Sequence, residues 1–174
     1  MVLVSHVADR AGYLADAAVL TRMAHEAGGL IVWDLGHSAG SVPVHADAWR
    51  LDAAVGCTYK YLNGGPGAPA GLFVNRRHFG RAPGLAGWFG YVKERQFDMS
   101  ITFEHAQSAG GWQMGTPCVL SAATLDGELT IWQPLTLRFS GPAAAERDAE
   151  AILRNVYLCQ ERGPNPRPLP RGKG

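Results

Sequence analysis

The order of elements in this chain predicts an α/β fold: a mostly parallel sheet with flanking helices. Three observations predict it. Short apolar runs alternate with a stretch at helical spacing, the strand–helix–strand order of a sheet joined by right-handed crossovers. The run at 30–35 is apolar without alternation, as in a strand covered on both faces. Polar residues fall at or just past the ends of the runs, where ligands bind in such sheets.

The elements follow in order. Residues 1–7 read as a short buried strand carrying Val2, Leu3, Val4 and Val7. Residues 15–27 read as a helix, because Leu20, Met23, Ala24 and Ala27 recur on one face and Gly28-Gly29 supplies a stop. Residues 30–35 form the second strand, 36–40 a turn and 46–51 a helical turn. Residues 53–57 and 70–74 read as the third and fourth strands. From 84 to 116 the chain is rich in glycine and aromatics and reads as loops. A helix is expected at 122–132 and an isolated, charged one at 143–153. Pro164, Pro166, Pro168 and Pro170 alternate beside arginines, so 160–174 is expected to be a disordered tail.

Composition narrows the function. At 174 residues the chain is at most one domain, with 47% hydrophobic and 18% charged residues. A net charge of +1 gives no reason to expect nucleic acid or an acidic membrane surface as partner. No apolar run is long enough to span a membrane, and the first residues lack a secretory leader. Three widely spaced cysteines, Cys57, Cys118 and Cys159, fit reduced thiols in a cytoplasmic protein.

The chemistry gathers around two residues. Asp34 ends the second apolar run, and Lys60 follows the third inside Gly56-Cys57-Thr58-Tyr59-Lys60-Tyr61-Leu62-Asn63-Gly64-Gly65-Pro66-Gly67. A strand-end carboxylate followed by a strand-end lysine is the layout that pyridoxal 5'-phosphate (PLP) requires. The lysine forms an imine with the cofactor aldehyde, and the carboxylate keeps the pyridine nitrogen protonated. Each residue also has a plainer reading, Asp34 as a helix cap and Lys60 as a surface charge. His37, three residues after Asp34, either meets a cofactor ring or its phenolic oxygen or plays the structural role that an isolated histidine more often has. Ser5-His6 falls at the same rim. Tyr59 either donates to a phosphate or packs, and the glycines at 64–67 allow close backbone approach to an anion. Trp88-Phe89 sits between glycines and reads either as core or as ligand-contacting aromatics, and Thr116-Pro117 otherwise reads as a turn. His6, Asp34, His37 and His45 match no compact zinc motif, so no metal is expected. No Gly-x-Ser-x-Gly elbow supports a serine hydrolase.

At these residues the chain resembles the kynureninase family. The resemblance rests on residues 32–44, on the Thr58 to Gly67 string, on Gly87-Trp88-Phe89-Gly90 and on Gly115-Thr116-Pro117, and it runs from residue 1 to about 135. It implies the central part of a PLP fold-type I large domain and a cytoplasmic homodimer. It implies hydrolysis of L-kynurenine, or of 3-hydroxykynurenine, to anthranilate and L-alanine, in tryptophan breakdown toward NAD. By the same resemblance Lys60 is the imine lysine and Asp34 the partner of the pyridine nitrogen. Ser5 and His37 line the cofactor. Tyr59 binds its phosphate and is a candidate proton donor. Trp88 and Thr116 complete the site from across the dimer.

The resemblance divides the chain into 1–135, a partial PLP-binding large domain, 136–159, helix-like and unlike the family, and the tail 160–174. Upstream family segments that stack on the cofactor, and the family's carboxylate-binding arginine, have no counterpart here. The change in character after Pro134 is what a reading-frame shift produces. Two alternatives stay open: another lyase, desulfurase or aminotransferase-like enzyme of the same fold, and a catalytically inactive fragment.

Overall fold

The computed structural model describes residues 1–140. Four strands form one sheet in the order β1-β2-β3-β4. Strands β1 (Val2–Ser5), β2 (Ile31–Asp34) and β3 (Ala53–Cys57) run parallel, and β4 (Ala70–Val74) returns antiparallel to β3. The reversal has a local cause. In the 58–69 connection Asn63 N–H bonds Lys60 O, Gly64 N–H bonds Thr58 O and Ala68 N–H bonds Gly65 O. The connection folds on itself and never crosses the sheet, so β4 can only come back beside β3 in the opposite sense.

Helix α1 (Ala17–Glu26) joins β1 to β2. Asp16 caps its start by accepting from Val19 N–H at 2.9 Å. Gly28 ends it at φ +70°, and Gly29 N–H reaches back to Ala24 O. The helix and the turn at 46–51 cover one sheet face. Register places Val4, Trp33, Ala54 and Phe73 in one row across that face. Trp33, Ala54 and Phe73 are buried there with Ala17, Ile31, Ala46 and Leu51. Trp33 Nε1 donates to buried Thr21 Oγ1 at 3.0 Å, tying α1 to β2.

The opposite face departs from the expected pattern. In β2 only Ile31 and Trp33 are buried, while Val32 and Asp34 are half-buried, so one face is covered and not two. The expected buried strand β1 is an edge strand with Leu3 68% exposed. Strand β2 is its only ladder neighbour among the described residues, which leaves its outer side open.

Helix α2 (Val119–Ser140) is longer than the 122–132 expected and runs through the boundary expected at 135/136. Its Leu125 and Leu129, one turn apart, are buried against Leu62, so it packs on the segment that follows Lys60. The 84–116 stretch forms loops with short 3-10 turns at Trp88–Gly90, Lys93–Arg95 and Ala109–Trp112. The helix expected at 143–153 and the tail expected at 160–174 lie outside the described residues.

Candidate active site

The carboxyl ends of three parallel strands meet at one rim. Ser5 and Asp34 are register partners at the ends of β1 and β2. Ser5 Oγ donates to Asp34 Oδ2 at 3.0 Å, and Gly36 N–H donates to Asp34 Oδ1 at 2.8 Å. The carboxylate is thus held from both sides by neutral donors. No cation pairs with it among the described residues.

Lys60 arrives from β3, three residues past its end, and is half-buried. Its Nζ lies 3.0 Å from His37 Nε2. A protonated amine donates in that contact, which leaves the imidazole proton on Nδ1. A Cβ placed on Gly36 would stand 3.0 Å from Asp34 Oδ1, 3.6 Å from Cys57 Sγ and 3.8 Å from Lys60 Nζ. Acid, thiol and amine therefore come within 4 Å of one point beside Gly36, and no bond joins acid to amine among the described residues. An open cleft of about 590 Å³ adjoins the amine, lined by His37, Gly40, Lys60, Tyr61 and Asn63.

Of the residues singled out in the sequence, Ser5, Asp34, His37 and Lys60 converge here. Tyr59 stands beside them, about half exposed, with its ring centre 5.8 Å from Lys60 Nζ. His6 does not stay at the rim: it is 2% exposed and turns into the core between Trp33 and Trp49. Burial pushes its imidazole below the usual histidine range, and its Nδ1 has no hydrogen-bond partner. The described contacts of Trp88 stay in its own loop: its indole N–H donates to Gln96 O, and its ring meets Phe89 and Phe97. Thr116 is exposed.

Two groups were missed in the sequence. Cys57 lies at the same glycine as Asp34 and Lys60, and its place at the end of β3 was the only signal for it. Asp52 gives no motif at all, yet it is a buried hub at the far rim. Its carboxylate accepts from Ile31 N–H, His25 Nε2, Arg77 Nη2 and His78 Nε2 at 2.9, 2.9, 2.5 and 2.7 Å. Burial pushes its pKa up, but these four donors outweigh burial and hold it well below the usual carboxylate range.

Comparison with known proteins adds lineage to geometry. No family model matches the chain. It is 50% identical over 133 residues to the kynureninase of Geobacillus thermodenitrificans, a match covering 76% of this chain and 31% of that protein. The kynureninase of Bacillus anthracis matches to the same extent, and that of Shouchella clausii is 48% identical over 132 residues. The chain thus spans 31% of the length of the curated relatives it matches. Among solved structures, an Escherichia coli cysteine desulfurase aligns with a TM-score of 0.55 at 18% identity, over 84% of this chain and 38% of that one. A cysteine desulfurase from Thermococcus onnurineus aligns at 0.53 and 20% identity, over 84% of this chain and 41% of its own. At such identity the likeness speaks for the fold: a mostly parallel sheet with helices, as the sequence predicts. The chain is therefore a relative of the kynureninases, carrying about a third of their length on a fold shared with the cysteine desulfurases.

Proposed function

We propose that this chain binds pyridoxal 5'-phosphate between Lys60 and Asp34 and serves the kynureninase reaction, the hydrolysis of L-kynurenine or its 3-hydroxy form to release L-alanine. The observation that carries this reading is that Asp34 Oδ1 and Lys60 Nζ approach the same point beside Gly36, at 3.0 and 3.8 Å from where its Cβ would stand. The donor set fits the cofactor. Lys60 is paired with an imidazole and not with a carboxylate, so its amine is not locked in an ion pair. Among the described residues Asp34 accepts only from neutral donors, an arrangement that suits a protonated ring nitrogen.

When bound, the cofactor ring supplies a sink for the electrons released as the carbon–carbon bond breaks. The chain's own residues do the rest. Lys60 would hold the cofactor covalently and, as a free amine, would be placed to move the α proton. His37, 3.0 Å away, takes a proton from that amine or returns it. Asp34 holds the ring nitrogen charged, and Ser5 and the Gly36 N–H hold Asp34. Tyr59, with its ring half in solvent, offers its hydroxyl to the phosphate or as a proton donor. Trp88 and Thr116, on and beside loops far along the chain, are assigned to the site of a second copy in a homodimer. Residues 1–135 are read as part of the PLP-binding domain, in a cytoplasmic enzyme of tryptophan catabolism and NAD biosynthesis.

The test is direct. Purified protein incubated with PLP develops a visible absorbance band, and borohydride then fixes the cofactor to Lys60, read by peptide mass. Kynurenine added to the loaded protein yields fluorescent anthranilate. Fixation elsewhere than Lys60 overturns the cofactor reading. Fixation at Lys60 without anthranilate leaves a cofactor-binding chain that lacks the hydrolase activity.

A further inference from the structure

Cys57 is the one group at the Gly36 space that the proposed function leaves unused. It ends β3, three residues before Lys60. Its Sγ stands 3.6 Å from Gly36 O, within reach of a thiol donor. The N–H of the same glycine donates to Asp34 Oδ1. One residue thus receives a bond from β3 through its carbonyl and gives one to the end of β2 through its amide. On its other side Cys57 lines an apolar cavity with Leu35, Val55, Leu62 and Leu72. A thiol suits that boundary, because a sulfur donor against an apolar wall costs less desolvation than a hydroxyl.

We infer that Cys57 is a positioning residue: its thiol holds the Gly36 turn and, through the N–H of that turn, keeps the Asp34 carboxylate near the Lys60 amine. The inference rests on the cofactor reading of Lys60 and Asp34. It makes a second claim of its own. A molecule joined to Lys60 and paired with Asp34 fills the space that Cys57 Sγ borders, so cofactor and thiol reagent compete for access.

The experiment uses the full chain as wild type, Cys57→Ala and Cys57→Ser, each checked by circular dichroism. Wild-type protein is alkylated with iodoacetamide with and without PLP, and adducts are read on the tryptic peptide that carries both Cys57 and Lys60. Cys118 is the internal reference: it is exposed, and hydrogen bonding with Ser121 holds its thiol below the usual cysteine range. PLP is expected to slow alkylation of Cys57 several-fold and to leave Cys118 unchanged. In Cys57→Ala the pH midpoint of the visible band of the PLP-bound chain is expected to move by roughly half a unit or more, the size of one lost hydrogen bond. Cys57→Ser, which keeps a donor, is expected to recover part of that shift. If Cys57→Ala does not fold, the serine variant and the wild-type alkylation rates carry the test. Lys60 fixed by borohydride, with Cys57 alkylated equally fast in both conditions or with an unmoved midpoint, overturns the positioning role alone. PLP that is never fixed to Lys60 overturns the cofactor reading, and this inference falls with it.

Discussion

At the scale of single residues, charge placement decides function and stability separately. Asp34→Asn keeps an oxygen for the Gly36 N–H and reverses the Ser5 contact, its amide now donating to Ser5 Oγ, but removes the charge that a pyridinium nitrogen needs. Anthranilate release by the PLP-loaded protein is expected to fall roughly 100-fold or more, with secondary structure unchanged. Asp52 acts on stability. Asp52→Asn strips the charge from a buried group with four donors, and a loss of roughly 3 kcal/mol in denaturant unfolding is expected. Its pH dependence follows from the depressed folded pKa. The unfolded chain takes up that proton near the ordinary value of about 3.9, and the folded chain only well below it. Its stabilisation is whole above the unfolded value and drains away as pH falls from there toward the folded one, a decline that Asp52→Asn should flatten. His6 works in a milder window. Its folded pKa is also depressed, so the unfolded chain binds the proton first, near 6.5. Stability is expected to fall below about pH 6.5 by up to about 1.4 kcal/mol per unit, and His6→Phe, which keeps a ring between Trp33 and Trp49, should remove that slope. Lys60 and Asp34 were singled out in the sequence because an acid and a lysine at the ends of two apolar runs suit one chemistry together, although each alone has a plainer reading. Asp52 was not, because its donors come from positions 25, 31, 77 and 78, and only folding brings them together.

At the scale of elements, the strands at 53–57 and 70–74 and the helix α1 were legible from hydrophobic spacing and stop signals. The reversal of β4 was not, since it depends on three backbone bonds inside the 58–69 connection. Nor was the single covered face of β2, whose apolar residues satisfy either a one-sided or a two-sided sheet. One buried polar contact, Trp33 Nε1 to Thr21 Oγ1, adds to the apolar packing that joins α1 to β2 among the described residues. Thr21→Val keeps the shape and leaves the indole N–H unsatisfied. A loss of about 1–3 kcal/mol is expected in chemical unfolding, read by tryptophan fluorescence.

At the scale of the whole molecule, the sheet carries apolar surface that the described residues leave uncovered. Leu3, Val32, Val55 and Leu72 belong to the face opposite the core, with Leu3 and Val55 exposed, and β1 has an open edge. Such surfaces drive association. Light scattering is expected to rise with protein concentration, and Leu3→Lys, a charge on the open edge, is expected to suppress that rise without altering the circular dichroism spectrum. Scattering unchanged by the substitution would place the sticky surface elsewhere.

The sequence by itself determined the alternation of strand and helix, the mostly parallel sheet and the two residues on which the cofactor reading stands. Those follow from local periodicity and from which residue types end an apolar run. Only the tertiary structure decided that Asp34, Cys57 and Lys60 share one glycine, that His37 meets the amine while His6 leaves the rim for the core, and that Asp52 anchors the far side. The physical reason is distance along the chain. A periodic pattern is written over a few neighbouring residues, whereas the long-range bonds of these sites join residues 21 to 29 positions apart and exist only once the strands have taken their register.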